Sequence, residues 1–265
     1  MLILLPPSEG KAAPGEGSPI KLGDLSLPKL RPARRQVFDA LIALCRPRDD
    51  EPARAVLGLS PGQRDEVRLN AGLRKAAAMP AGSVYTGVVY DALELSSLPP
   101  AALAQAERSI LISSGLWGAV RITDLIPPYR CPIGVNLPGV GPLGSFWRQA
   151  MSGVMAKTAA AGLVLDLRSS GYATMWQPVP AAAAQVAAVR VLHERTVDGV
   201  TKRSVVSHFN KATKGRLVRD LLIAGVEPTT PQDLIAALRD LKHTVEATTP
   251  SAGKPWLIDL VVPEL

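Results

Sequence analysis

Apolar residues fall in short bursts separated by polar segments that carry proline and glycine. Leu2 to Leu5 is a continuous apolar run of strand length, stopped by Pro6-Pro7. Residues 12–31 are rich in Gly, Pro and Ser and read as a surface loop. From Pro32 to about Leu44, the residues Val37, Phe38, Leu41 and Leu44 share one helical face, and proline suits the first turn. Ser60-Pro61 opens a second helix, with Ser60 as N-cap, expected to run to about Ala78. Residues 82–95, GSVYTGVVYDALEL, fit neither the helical nor the strand period. Leu98-Pro-Pro100 breaks the chain, and a short helix at 101–107 leads to a strand at 109–113. A strand is expected at 131–137, a flexible loop at Gly139 and Gly141, a helix at 145–161 and a strand over Val164–Leu167.

The clearest local signal is Asp198-Gly199 between two β-rich runs, which predicts a hairpin over about 187–209. A helix at 211–224, a turn at Gly225-Val-Glu-Pro228 and a Thr230-capped helix at 231–242 follow, and Trp256–Val262 reads as a last strand. No repeat and no interdomain linker interrupts this order. The pattern predicts one α/β domain over 1–265, with a mixed sheet, surrounding helices, the hairpin, and a helix-hairpin-helix-like element at about 211–242.

Three strands end in polar loops, at Pro7, at Ser114 and at Arg168. If they run parallel, the loops meet outside their carboxyl ends, where open α/β sheets bind ligands. Ser114-Gly115 and Arg168-Ser169-Ser170-Gly171 could cradle an anion with backbone N–H groups. Neither they nor Val140-Gly-Pro-Leu-Gly144 has Walker or dinucleotide spacing, so ATP or NAD is weakly supported and no cofactor is expected. The stretch SSGLWGAVRITDLIPPYR, residues 113–130, brings an aromatic, two guanidiniums, a carboxylate and a phenol into one connection, which reads as either a packing corner or a ligand floor.

Composition narrows the function. The chain has 30 Lys and Arg against 23 Asp and Glu, a formal charge of +7 that favours anionic partners. Aromatics are only 4%, so the core is expected to be aliphatic and each aromatic becomes a marker. Two cysteines, Cys45 and Cys131, are not a disulfide framework. No window approaches the ~18 apolar residues of a membrane span, and the first residues lack a signal pattern. The expectation is a soluble cytoplasmic monomer.

Metal and nucleophile signatures are weak. In a hairpin turning at Asp198-Gly199, His193 would face Ser204 and His208 would face Val189, ~13 Å apart along the strands and too far for one zinc. There is no GxSxG and no Cys–His pair. No metal is expected. The stretch 202–219 carries Lys202, Arg203, Lys211, Lys214, Arg216 and Arg219 and no acid. Lys211, Lys214 and Arg216 stand near a helix start, where the macrodipole disfavours cations, which raises the odds of a bound anion. Six phosphate contacts would give a log–log salt slope of about −5. At 217–238 a helix, tight turn and helix stand where a helix-hairpin-helix would carry Gly-hydrophobic-Gly, but Glu227 replaces the second glycine, and a purely structural helical hairpin is the safer reading.

Several ordered segments resemble the YaaA family of peroxide stress resistance proteins: MLILLPPSEGK at the start, Val84-Tyr-Thr-Gly87, Ser114-Gly-Leu-Trp-Gly118, Asp124-Leu with Pro128-Tyr-Arg130, Phe146-Trp147, Asp166-Leu-Arg-Ser-Ser-Gly-Tyr172, and Phe209-Asn-Lys211 through Lys214-Gly-Arg216. The resemblance implies a single α/β domain with a positively charged cleft. It implies non-sequence-specific binding of double-stranded DNA, bent duplex included, and a role in limiting oxidative damage and free intracellular iron. By position, Lys11, Tyr85, Thr86, Ser114, Arg121, Asp124, Tyr129, Arg130, Ser169, Tyr172, Lys211 and Lys214 match the family's recurring polar positions. The loop at 6–11 departs from the shorter Ser-Pro-Ala-Lys-type segment of many members, with Lys11 as counterpart of that lysine.

Two readings follow. A DNA-binding stress protein would use the 202–219 cations together with Tyr85, Thr86, Arg121, Arg130, Arg168, Ser169 and Tyr172, and Trp117 packing beneath the cleft or stacking on a base. An enzyme on a small anionic substrate, such as a nucleotide, nucleobase or amino-acid derivative, would use the same cleft. Lys11 or Lys211 would be base or clamp, Ser114 or Tyr129 proton donor, and Asp124 would orient the arginines.

Overall fold

The computed structural model describes residues 1–197, 200–204 and 207–263, and at 196–197, 200–202, 207–208 and 263 the backbone alone. Among these residues eight strands form the main sheet: β1 (Leu2–Leu5), β2 (Ile110–Ser114), β3 (Gly118–Arg121), β4 (Val164–Asp166), β5 (Val186–Val197), β6 (Val200–Ser204), β7 (Thr244–Thr248) and β8 (Trp256–Pro263). Their order is β7-β8-β5-β4-β1-β2-β3, with β6 also pairing β5. The central pairs β1–β2, β1–β4, β4–β5 and β5–β8 are parallel, and the outer pairs β2–β3, β5–β6 and β7–β8 are antiparallel. The sheet is mixed, as the alternation of strand and helix predicts. The inner strands are apolar without alternation because both faces are covered. Ile3, Leu5, Ile110, Leu111, Ile112, Val164 and Leu165 are all fully buried.

The register aligns three strand ends. Leu4 pairs with Leu111 on one side and with Asp166 on the other, so β1, β2 and β4 finish at one edge. From β1 the chain crosses to β2, and from β4 it crosses to β5 on the opposite side. The crevice between β1 and β4 is therefore a topological switch point. β5 outruns β4: its start pairs β4 at 186–188 and its end pairs β6 at 193–197. The overhang rises past the same edge.

Among the described residues, eight helices of six or more residues surround the sheet: α1 (Arg31–Cys45), α2 (Glu51–Leu57), α3 (Arg64–Ala71), α4 (Val88–Leu93), α5 (Pro100–Ser109), α6 (Leu143–Ala159), α7 (Ser207–Ile223) and α8 (Pro231–Asp240). α1 buries Val37, Phe38 and Leu41 as its periodicity predicts. α7 presses against α4 at Gly215, where an added Cβ would lie 2.2 Å from the Val89 carbonyl oxygen.

Several local expectations change. The helix expected to reach Ala78 is a 3-10 turn at Pro61–Gln63 followed by α3, which stops at Gly72. The Ser60 cap is there, as a capping box with Gln63. The ambiguous 82–95 stretch is two short helices, Ala81–Val84 and α4, parted by Gly87 at φ +96°. Only Asn136–Leu137 of the expected 131–137 strand is extended, pairing with Gly141–Pro142. Pro132 offers no N–H to a ladder, and the Cys131 carbonyl is pressed against Gly115, where a Cβ would lie 2.2 Å away. The stretch after Ser114 returns as β3, and β7 is a further strand that the pattern did not reveal.

β5 and β6 pair antiparallel with His193 opposite Ser204, while the Asp198-Gly199 turn lies outside the described residues. The second strand ends at Ser204 instead of 209. His208 belongs to α7, so it does not stand opposite Val189. Leu217, Val218, Leu221 and Leu222 commit this segment to a helix, which extends back to Ser207.

Candidate functional site

The switch-point crevice is a cleft of about 770 Å³, walled by Pro6–Gly10, Thr86–Tyr90, Leu167–Ser170 and, on α7, Asn210, Lys211 and Lys214. Ser8, Glu9 and Tyr172 also border a smaller recess of about 190 Å³, which Lys11, Tyr129, Arg130 and Cys131 complete.

The recess is built on a buried hydroxyl chain. Ser114, fully buried at the end of β2, accepts hydrogen bonds from the Leu116 and Trp117 N–H groups at 3.2 and 2.8 Å. Its Oγ lies 2.6 Å from Tyr129 Oη, which lies 2.9 Å from Tyr85 Oη. Burial pushes the Tyr85 phenol up to about 12 and Tyr129 well above its ordinary value, so both remain protonated. Tyr90 stacks on Tyr85 with ring centres 5.6 Å apart and donates to the Pro6 carbonyl at 2.7 Å.

Lys11 crosses above these rings. Its Nζ donates to the Ser8 and Glu9 carbonyls at 3.0 and 3.1 Å and sits 4.7 Å from the Tyr129 ring centre. A β-bridge to Tyr85 fixes its backbone. Burial, reinforced by the Arg130 charge, lowers its ammonium from 10.5 to about 8. Arg130 is held at its backbone by Asn70, which accepts from its N–H at 2.9 Å and donates to its carbonyl at 2.7 Å. Its Nη2 meets Glu9 at 3.2 Å, and its buried Nε has no partner among the described residues. Across the cleft, Lys214 donates to the Leu167 carbonyl at 3.0 Å, and burial lowers its pKa. Lys211 is exposed one turn earlier.

Thus Lys11, Tyr85, Thr86, Ser114, Tyr129, Arg130, Ser169, Tyr172, Lys211 and Lys214 stand in or directly under the cleft and the adjoining recess, which share the wall formed by Ser8, Glu9 and Tyr172. The other expected residues do not present free groups there. Arg121 pairs with Leu111, the other end of the β2–β3 ladder from Ser114, and its guanidinium donates to the Arg108 carbonyl. Asp124 does not orient an arginine side chain. Its buried carboxylate accepts from Ser26 N and Oγ at 2.9 and 2.8 Å and from the Arg121 N–H at 2.9 Å, capping a loop. Trp117 is fully buried between Phe38 and Tyr129, so it packs beneath and offers no face to a base.

Among the expected cations, Arg168 is buried in an ion pair with Asp166 at 2.7 Å and donates to the Tyr172 and Trp176 carbonyls. Arg203 is divided between Glu194 and Glu246. Arg219 donates to the Leu93 and Glu94 carbonyls and Ser97 Oγ, closing the end of α4. Arg216 is exposed on α7, and the Lys202 side chain lies outside the described residues. At the turn after α7, Gly225 and Val226 donate their N–H groups to Leu222 and Leu221, and Glu227 pairs with Arg108, so this turn spends those donors on its own helix end.

Sequence reasoning missed Asn70, Tyr90 and Arg34. Arg34 is fully buried under the β2–β3 turn, donating to the Trp117 and Ala119 carbonyls at 3.0 and 2.7 Å. Tyr90 lay in the stretch without a clear period. Nothing local distinguishes Asn70 or Arg34 from a surface helical residue. Among the described residues, no group of three or more His, Cys, Asp or Glu could hold a metal, and no helix is long and apolar enough to cross a membrane.

The fold defines an α/β protein with a crevice at the carboxyl edge of its parallel strands, lined by Tyr90, Tyr172, Lys211 and Lys214 among others. The chain belongs to the peroxide stress protein YaaA family, whose model matches residues 1–247. It is 56% identical to a UPF0246 protein of Streptomyces coelicolor across the full length of both chains. A UPF0246 protein of Corynebacterium efficiens is 41% identical over 99% of this chain and 100% of its own. One from Corynebacterium glutamicum is 37% identical over 93% and 95%.

Proposed function

We propose that this member of the peroxide stress family binds, and acts on, a small anionic molecule in the switch-point cleft and the recess beside it, with a nucleotide, nucleobase or amino-acid derivative as the class. The observation that carries this is the pairing of Lys11 with Arg130 in a narrow recess. Of the residues lining it Glu9 is the carboxylate, itself exposed, and Glu66 also acts on Lys11 from outside the lining. Both cations are largely withdrawn from water, where an anion is worth most to them. Lys11 serves as clamp or, when neutral, as base, and the Tyr85–Tyr129–Ser114 chain holds protons at fixed positions against the ligand. The protein works in the cytoplasm as a monomer, and any effect on free iron lies downstream of this ligand.

The test is calorimetric titration with AMP, guanine and glutamate, comparing wild type with K11M and R130Q. Binding of one of them that falls at least tenfold in both variants supports the reading. Equal affinity in all three proteins would overturn it.

Duplex DNA is the second reading, favoured by the exposed Lys211 and Arg216 near the start of α7. It is the weaker of the two, because Arg168, Arg203 and Arg219 are already committed to protein partners.

A further inference from the structure

A second cationic recess lies beside α1 and shares no lining residue with the cleft. Its volume is about 490 Å³, and Lys21, Arg31, Arg35 and Arg74 converge on it from three separate stretches of chain. Arg74 is committed to Asp39 at 2.7 Å and lies over the Phe38 ring at 5.5 Å. Lys21, Arg31 and Arg35 have no ion pair or side-chain hydrogen bond with any described residue. Asp24 is the second carboxylate on the wall, and it too is unpaired among the described residues. The Arg31 guanidinium lies flat against Gly23, whose ideal Cβ position is 3.5 to 3.7 Å from its Cζ and both Nη atoms. It therefore lies over the loop at Gly23 at the rim of the recess while remaining exposed, as do Lys21, Asp24 and Arg35.

This arrangement opposes helix stability. Arg31 and Arg35 are like charges one turn apart on α1, a spacing that repels. Arg31 is also the first residue of the helix, whose first turn holds no acid, and so stands against the positive end of the dipole. α1 would be better served by an acid at either position. An anion in the recess removes both penalties, and two guanidiniums free to bond in pairs suit phosphate oxygens. The volume falls in the range of mononucleotide-sized ligand sites.

We infer that this recess is a second ligand site, taking a small molecule that carries a pyrophosphate group. Arg31, Arg35 and Lys21 hold the phosphates, and Asp24 accepts from a hydroxyl or amino group of whatever the phosphates carry.

The experiment is a calorimetric titration of the full chain with ADP, and separately with inorganic pyrophosphate, at low ionic strength. Three proteins are compared: wild type, R31Q/R35Q and K11M/K211M. ADP binding that weakens at least tenfold in R31Q/R35Q and is unchanged in K11M/K211M supports the site. Without ligand, R31Q/R35Q keeps or raises its Tm, because two opposed charges are gone. The inference is overturned if wild type binds neither probe. It is equally overturned if ADP affinity survives R31Q/R35Q, or is lost only in K11M/K211M, which assigns the ligand to the cleft. A loss of duplex DNA affinity in R31Q/R35Q, with ADP unaffected, overturns it in favour of nucleic acid.

Discussion

The Lys11 ammonium lies 4.7 Å from the centre of the Tyr129 ring, inside a recess that also holds the Arg130 charge. The ring face attracts the cation, while burial and Arg130 oppose it. The balance leaves a lysine that changes charge near pH 8, within reach of ordinary solution conditions.

Anion binding in the recess should therefore weaken as pH rises through about 8, where Lys11 loses its proton. The K11M variant should lose this pH dependence together with most of the affinity. Titrations at pH values on either side of that midpoint, in both proteins, check it.

The same shift links to stability. The unfolded lysine titrates near 10.5 and the folded one near 8, so between them the unfolded chain binds more protons. Stability relative to K11M should rise with pH across that window, by on the order of 3 kcal/mol in total, and the gain is lost as pH falls through 8. Urea unfolding of both proteins across the window measures the difference.

Tyr129→Phe removes the hydroxyl that links Tyr85 to Ser114 and leaves two buried hydroxyls short of a partner. The expected cost is about 1–3 kcal/mol in unfolding free energy, with the backbone fold intact. Ser114→Ala should cost a similar amount, because the Leu116 and Trp117 N–H groups lose their acceptor. Denaturant midpoints at constant m-value report both.

Arg168→Met strands the Asp166 carboxylate, whose side chain is 12% exposed. Breaking a buried pair from one side should destabilise by about 3–5 kcal/mol. Lysine should not rescue it, since the guanidinium also reaches the Tyr172 and Trp176 carbonyls.

If duplex DNA binds, its salt dependence separates free cations from committed ones. K211Q/R216Q should flatten the log–log slope by about 2, one unit for each lost phosphate contact. R203Q and R219Q should leave it unchanged, because those guanidiniums are held by Glu194 and Glu246 or by the carbonyls closing α4.

Much of the fold is legible along the chain. The apolar runs at Leu2–Leu5, Ile110–Ile112 and Val164–Leu165 can hardly be other than inner strands. The polar residues that end each run are enough to mark the crevice. β3 was hidden because its residues pack on two sides at once. Gly118 takes φ +73° and brings its backbone against the Trp147 ring, which no local pattern records. The 131–137 segment misled because β-rich composition cannot reveal that Gly115 occupies the space a ladder would need.

Sequence by itself determined the alternation of strand and helix, the surplus of positive charge, the helix caps and the family, because these depend on residue type and near neighbours. Which charges remain available is a different kind of fact. Arg121, Arg203 and Arg219 look as suited to an anion as Lys11, Arg130 and Lys211, and only chain crossing decides among them, whereas Arg168 is held by its own neighbour Asp166. Partners such as Glu246, 43 residues from Arg203, and Leu93, 126 residues from Arg219, neutralise or occupy the first group. Lys11 and Arg130 instead meet each other across 119 residues, a repulsion the recess sustains through Asn70, Glu9 and the tyrosine rings.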